Sequence, residues 1–194
     1  ADSIRAYIDD SSGKAARGGF AVGGFNMSKA ASGHFLDVAT DANGIVTPSE
    51  NRVLWYPLKN AFLTGKVLIQ KPDSVGENSF ASGYESKAVG NWSQALGYRA
   101  IARGDYSTAI GKNAVANDIN SFAFGESARA ANDESYAFGR GAVARGYRSF
   151  AFGSAGVNQS GYATDVATAI GNYSFAFGQG SKSIGKGSFS IGIA

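Results

Sequence analysis

Five residues of the form Ser-x-Ala-x-Gly recur every 14 positions along most of this chain, and that period restricts its possible folds more than any other property. Ser79 to Gly83 reads S-F-A-S-G, and the form closes again at Gly97, Gly111, Gly125, Gly139 and Gly153. The step from Gly153 to Gly178 is 25 residues, one period plus an 11-residue insertion near 154–164. Ser188 to Gly192 supplies a further copy with Ser190 in place of Ala. A second half-repeat runs seven residues out of phase: S-K-A-V-G at 86–90, A-I-A-R-G at 100–104 and A-V-A-R-G at 142–146 are examples. Its closing slot is Gly except at Asp118 and Asn132. Asp and Asn are the non-glycine residues that best tolerate a left-handed backbone, so this slot is expected to need positive φ.

Short alternating segments bounded by glycine every seven residues read as strand, turn, strand, turn, with two short strands per coil. One such coil cannot bury a face by itself. Stacked at about 4.8 Å, the coils would form two long parallel sheets back to back, and eight of them a rod on the order of 40 Å. Composition agrees: 27 Gly against 3 Pro fits turns at fixed places rather than disorder, and 44% hydrophobic residues suffice for a core. No cysteine is present, so neither a disulfide framework nor a cysteine metal site is available. A net charge of +3 falls short of a nucleic-acid footprint, and no apolar run is long enough for a membrane-spanning helix. With Ala1 at its start and Ala194 in mid-pattern, the sequence reads as a piece of something longer.

The strand faces discriminate further. In the first strand one face carries pairs such as Phe122 and Phe124, Phe150 and Phe152, Phe175 and Phe177, and the other is Ser, Ala and Gly. Neither face carries a charge in any copy, although a solvated strand face normally does. One face can line the interior of the roll; the other needs another molecule. Phe from strand one packed against Ala from strand two is the expected interior. The reverse, with Ala inside and Phe between subunits, stays open. In the second strand one face is Ala–Ala, and the other varies and is expected to be solvated.

Residues about 72–192 resemble the YadA-type head repeats of trimeric autotransporter adhesins, whose mark is a Ser-hydrophobic-Ala-hydrophobic-Gly strand in 14-residue coils. Ser107-Thr-Ala-Ile-Gly111 and Ser149-Phe-Ala-Phe-Gly153 match it. The resemblance implies an all-β, left-handed parallel β-roll assembled as a homotrimer, on the bacterial cell surface or secreted. It implies adhesion to extracellular matrix protein, glycans or cells. Phe is heavier here than the Val and Ile usual in the family. Similar repeats occur in phage fibre-like proteins, so a structural spacer of a surface or phage fibre, with no ligand of its own, is the competing reading.

Residues 1–71 lack the register and are expected to form an irregular β region that caps or prefaces the roll of residues 72–194. Gly19-Phe-Ala-Val-Gly23 echoes the strand motif, and Arg52 to Pro57 with Ala61 to Gly65 forms a second hydrophobic patch. No catalytic, cofactor-binding or metal constellation is recognised. His34 with Asp37 is one ligand pair and no more, and Asp9-Asp10 reads as a turn. Gly-Gly pairs match neither a phosphate loop nor a dinucleotide fingerprint, and no nucleophile elbow occurs. The Asn-x-Ser triplets at Asn91 and Asn172 arise from the repeat itself. The structural turn residues are expected at Gly83, Gly97, Gly111, Gly125, Gly139, Gly153, Gly178, Gly192, Asp118 and Asn132. The candidate ligand-binding surface is the outward row Lys87, Arg103, Arg129, Arg145 and Lys182, which an anionic partner such as a sulfated glycan could use. Ice binding wants a flat array of one residue type, which this irregular, charged row is not. A glycan-cleaving enzyme wants carboxylates on adjacent coils, and the in-register strand positions hold none.

Overall fold

The computed structural model describes residues 22–23, 34–36, 45–162 and 164–192, and these form an all-β parallel solenoid. Val22–Gly23 (β1) and His34–Leu36 (β2) pair antiparallel as a small separate sheet. A long hairpin follows, β3 (Val46–Tyr56) against β4 (Ala61–Ile69), in antiparallel register. Strand β4 then lies parallel to β5 (Phe80–Tyr84), with Phe62 beside Phe80 and Gly65 beside Gly83.

From β5 onward the chain alternates between two sheets. The second strands are β6 (Lys87–Ala88), β8 (Ile101–Ala102), β10 (Val115–Ala116), β12 (Arg129–Ala130), β14 (Val143–Ala144), β16 (Thr168–Ala169) and β18 (Lys182–Ser183), seven in all. The first strands are β5, β7 (Gln94–Tyr98), β9 (Thr108–Ile110), β11 (Phe122–Phe124), β13 (Tyr136–Phe138), β15 (Phe150–Phe152), β17 (Phe175–Phe177) and β19 (Phe189–Ile191). With β3 and β4 they make a ten-stranded sheet. Each strand pairs in parallel with its counterpart one coil away, as the 14-residue spacing predicts. The insertion does not break the stack: Phe152 still pairs with Phe177, and Val143 with Thr168. Its backbone closes on itself, the Thr164 and Asn158 amides donating to the carbonyls of Gly156 and Tyr162.

The interior reverses the expected assignment. Ala123 at the centre of β11 is 1% exposed, whereas its neighbours Phe122 and Phe124 are 37% and 54% exposed. From Ser79 to Ser183 every buried residue among those described is Ala, Ser or Gly. The sheets approach so closely that no larger side chain fits between them, so the phenylalanines point out. Most buried serines precede a first strand, and the hydroxyls of Ser93, Ser121 and Ser135 donate to the carbonyl three residues earlier at 2.6 Å. At the N-terminal end the filling changes: Leu54, Tyr56, Leu63, Val67 and Ile69 are buried under the hairpin, with Val75 beside them.

The turn expectation is half corrected. The first-strand glycines do take positive φ, Gly97 at 130° and Gly111 at 129°. The slot shared by Gly104, Asp118 and Asn132 does not. The left-handed residues lie two positions later, at Tyr106, Asn120 and Glu134, with φ of 57°, 53° and 50°. Gly104 is small for another reason, since a Cβ there would sit 2.0 Å from the carbonyl oxygen of Asp118 in the next coil. Nothing in the structure explains how Asp118 and Asn132 are accommodated in a slot this tight.

Candidate functional site

Two outer faces are available, one on each sheet. On the first-strand sheet, parallel register stacks the outward residues into two columns. One holds Phe122, Tyr136, Phe150, Phe175 and Phe189, and the other Phe124, Phe138, Phe152, Phe177 and Ile191. Ring centroids lie 5.6, 4.3, 5.4 and 6.0 Å apart along the first column. Along the second they lie 6.5, 6.2 and 5.0 Å apart. In the middle coils the same columns lighten to Gln94 and Thr108, and to Leu96 and Ile110, before the first column resumes with the stacked rings of Phe80 and Phe62. The result is an uncharged wall, aromatic over its C-terminal half and open to solvent in the single chain. The sequence left open whether these rings face in or out; the signal that places them outside is their variation from coil to coil, which a close-packed interior does not absorb.

The second-strand sheet faces the other way. Its outward residues also form two columns, one running Lys87, Ile101, Val115, Arg129, Val143, Thr168, Lys182. The other lies two residues further along each coil and contains Arg103 and Arg145, whose amides bond forward to the carbonyls of Ala116 and Ala169. All five sequence-predicted basic residues therefore lie on this face, but not as one continuous patch. Arg129 and Arg145 border a shallow depression floored by Ala131 and Val143. Arg145 and Lys182 border the next, where Asp165 enters from the insertion. Lys87 and Arg103 stand nearer the hairpin end, and the Arg103 guanidinium donates to Asn117 Oδ1 at 2.8 Å.

Four of the described acidic residues, Glu77, Glu85, Glu126 and Glu134, instead pair with cations on a neighbouring strand or coil. Lys112 Nζ is 3.0 Å from Glu126, and Arg148 Nε is 2.7 Å from Glu134. The Lys112 hydrogen bond holds the Glu126 carboxyl below the usual carboxylate range, and Arg148 does the same for Glu134. Asn and Asp at the corner preceding strand one act as rungs between coils. Asn91 Oδ1 accepts from the Glu77 amide at 2.9 Å, and Asn172 Oδ1 from the Tyr147 amide at 3.0 Å. That gives the Asn-x-Ser triplets at Asn91 and Asn172 a structural occupation. Corner aromatics stack similarly, with Trp92 and Tyr106 centroids 5.0 Å apart.

His34 begins β2, while its companion Asp37, the Asp9-Asp10 pair and residues 19–21 of the early motif lie outside the described residues. Among the described residues no helix is long and apolar enough to cross a membrane. Comparison with curated proteins returns no match. The family model described as "YadA head domain repeat (2 copies)" matches residues 81–104, 102–128, 130–155 and 167–193. The stretch it leaves between 155 and 167 overlaps the insertion near 154–164. With more than half of the chain matched, and the stacked coils running through every matched span, the chain belongs to the YadA head repeat family.

Proposed function

We propose that this chain is the head of a bacterial surface adhesin, in which three copies pack side by side as a rigid β-roll that adheres to host matrix, glycans or cells. The observation that carries the reading is the uncovered first-strand wall. Contiguous apolar strips of that length are rare on soluble monomers, and apolar area is stabilised by about 25 cal/mol for each Å² removed from water. Identical chains related by a closed rotation would cover it, each presenting its wall toward the common axis. The choice of three copies over two comes from the family. A rod of this kind fits presentation rather than chemistry: its described strands bear no carboxylate cluster, and its surface repeats along one axis.

Light scattering tests the assembly. The expected mass is near three times the 20.0 kDa chain. The double substitution Phe124→Glu, Phe152→Glu should dissociate it, because each would bury a charge against a neighbour. A stable monomer at micromolar concentration would remove the support for the trimer. Adhesion is tested separately, by saturable binding of the assembled protein to immobilised matrix proteins, a glycan array and cultured cells. Absence of binding on all three would favour the spacer.

A further inference from the structure

We propose that the outer face of the second-strand sheet is a docking track for a linear sulfated or carboxylated polysaccharide running along the rod axis. The proposal names a ligand class for the adhesin reading and rests on it. In the first column the cations are Lys87, Arg129 and Lys182, each three coils from the next in register. In the second column Arg103 and Arg145 are also three coils apart, displaced by one coil from the first. Both columns thus repeat positive charge at about 14 Å, three times the strand spacing. A polyanion lying parallel to the axis would meet this lattice at successive charged groups.

The contrast with the corners shows that these cations are placed differently. At the corners Lys112 and Arg148 are neutralised by Glu126 and Glu134 in the adjoining coils. On the track none of the five is within salt-bridge distance of a carboxylate, among the described residues. The strand positions between them carry no acid, and Asp165 borders the face only from the insertion. Charge serving solubility alone needs no segregation of sign by face. Guanidinium groups with no carboxylate partner, on strands that carry no acid, are complementary to sulfate and carboxylate, which arginine binds bidentately. Val143 and Ala131 between Arg129 and Arg145 offer an apolar floor for the C–H face of a sugar ring. Among the described residues no aromatic side chain lies in either column of this face, so nucleic-acid bases would have nothing to stack on. Because the track lies on the opposite sheet from the aromatic wall, covering the wall leaves it open.

The test is titration of the assembled protein with a heparin-derived oligosaccharide, with neutral dextran as the blank and single-stranded DNA as the rival polyanion. Two double variants remove the same charge: Arg129→Gln with Arg145→Gln on the track, and Arg140→Gln with Lys186→Gln at exposed corners. The expected result is salt-sensitive heparin binding, weakened by about tenfold or more in the track variant and within about twofold in the corner variant. Arg129→Lys with Arg145→Lys should recover most of it. Melting curves and light scattering establish that each variant keeps the fold and the mass. Equal losses in both Gln variants would assign the effect to net charge and overturn the proposal. So would wild type that ignores heparin at physiological salt, or that binds DNA as tightly through the same arginines. If heparin binding fails while adhesion to matrix or cells persists, the track is wrong and the adhesin reading stands. Loss of all adhesion would remove both.

Discussion

The hairpin end and the coils beyond it solve the same packing problem with opposite means. Beneath β3 and β4 the interior is filled by Leu54, Tyr56, Leu63 and Ile69, as in an ordinary globular core. A few coils further on it is filled by Ala and Ser alone, and the large side chains stand outside in stacked columns. The second sheet begins only at β6, so the hairpin has no facing strand and can hold big residues beneath it, whereas along the coils the facing sheet fixes the gap. The two regions therefore take their stability from different sources: apolar burial inside one, and in the other backbone ladders, side-chain rungs and outward faces that await a neighbour.

Substitutions at four positions and one titration probe that contrast. Leu54→Ala should cost about 2–5 kcal/mol in a melting or denaturant experiment, the usual cost of a core cavity. Ala123→Leu should cost about 1–3 kcal/mol or somewhat more by overpacking, although it adds apolar area. If Ala123→Leu were neutral or stabilising, the roll interior would have room and the contrast would collapse. Gly104→Val is expected to cost more than about 1 kcal/mol, through collision with the Asp118 carbonyl rather than through φ. Gly104→Ala sharpens the test, since a methyl group already meets that carbonyl; a harmless Ala would overturn the collision account.

Asn172→Ala removes one rung and leaves the Tyr147 amide seeking water, a loss of about 1 kcal/mol. Faster exchange of that amide, read by hydrogen–deuterium exchange, is the local check. The smallest effect is acidic. Glu126 and Glu134 have folded-state carboxyls depressed below the ordinary 4.5, so their contribution is present above that value and is lost as pH falls through the lowered one. The melting temperature should be level from about pH 7 to pH 5.5 and decline slightly below about pH 4.5. Glu126→Gln with Glu134→Gln should decline less, and 1 M salt should erase most of the difference because these pairs are exposed. An unchanged acid profile in the double variant would show that the corner pairs add nothing.

Period, strand order, parallel register and the position of the insertion were all legible in the sequence, because a 14-residue coil repeats its glycines wherever the next coil must pass close by. Which way the phenylalanines face was not. Alternation says that two faces differ, and both faces of strand one lack charge, so polarity could not choose. The deciding information lay along the columns rather than along the strands. The centre of strand one is Ala from Ala81 through Ala176, while its flanks change from Gln94 and Thr108 to Phe122 and Tyr136. A tightly packed interior cannot absorb such changes, and an outer face can. The left-handed corners were misplaced for a similar reason: Gly, Asp and Asn at one slot suggested φ, but the glycines answer to the neighbouring coil, and the left-handed turn falls on Tyr106, Asn120 and Glu134. The basic residues were found because charge survives any register. Their division into two offset columns required the register to be known.

The loop between β15 and β16 has a use beyond this molecule. Eleven residues leave the rod after Gly153 and return with Phe152 and Phe177 still paired, so the stack is indifferent to what is inserted at that corner. Tyr162 on this excursion is 72% exposed. The same corner recurs in every other coil, and loop closure grows only slowly more costly with length. Foreign peptides could therefore be mounted at chosen heights along one edge, their separation set in steps of one coil, which makes the rod a ruler on which epitopes or binding peptides are displayed at programmed distances.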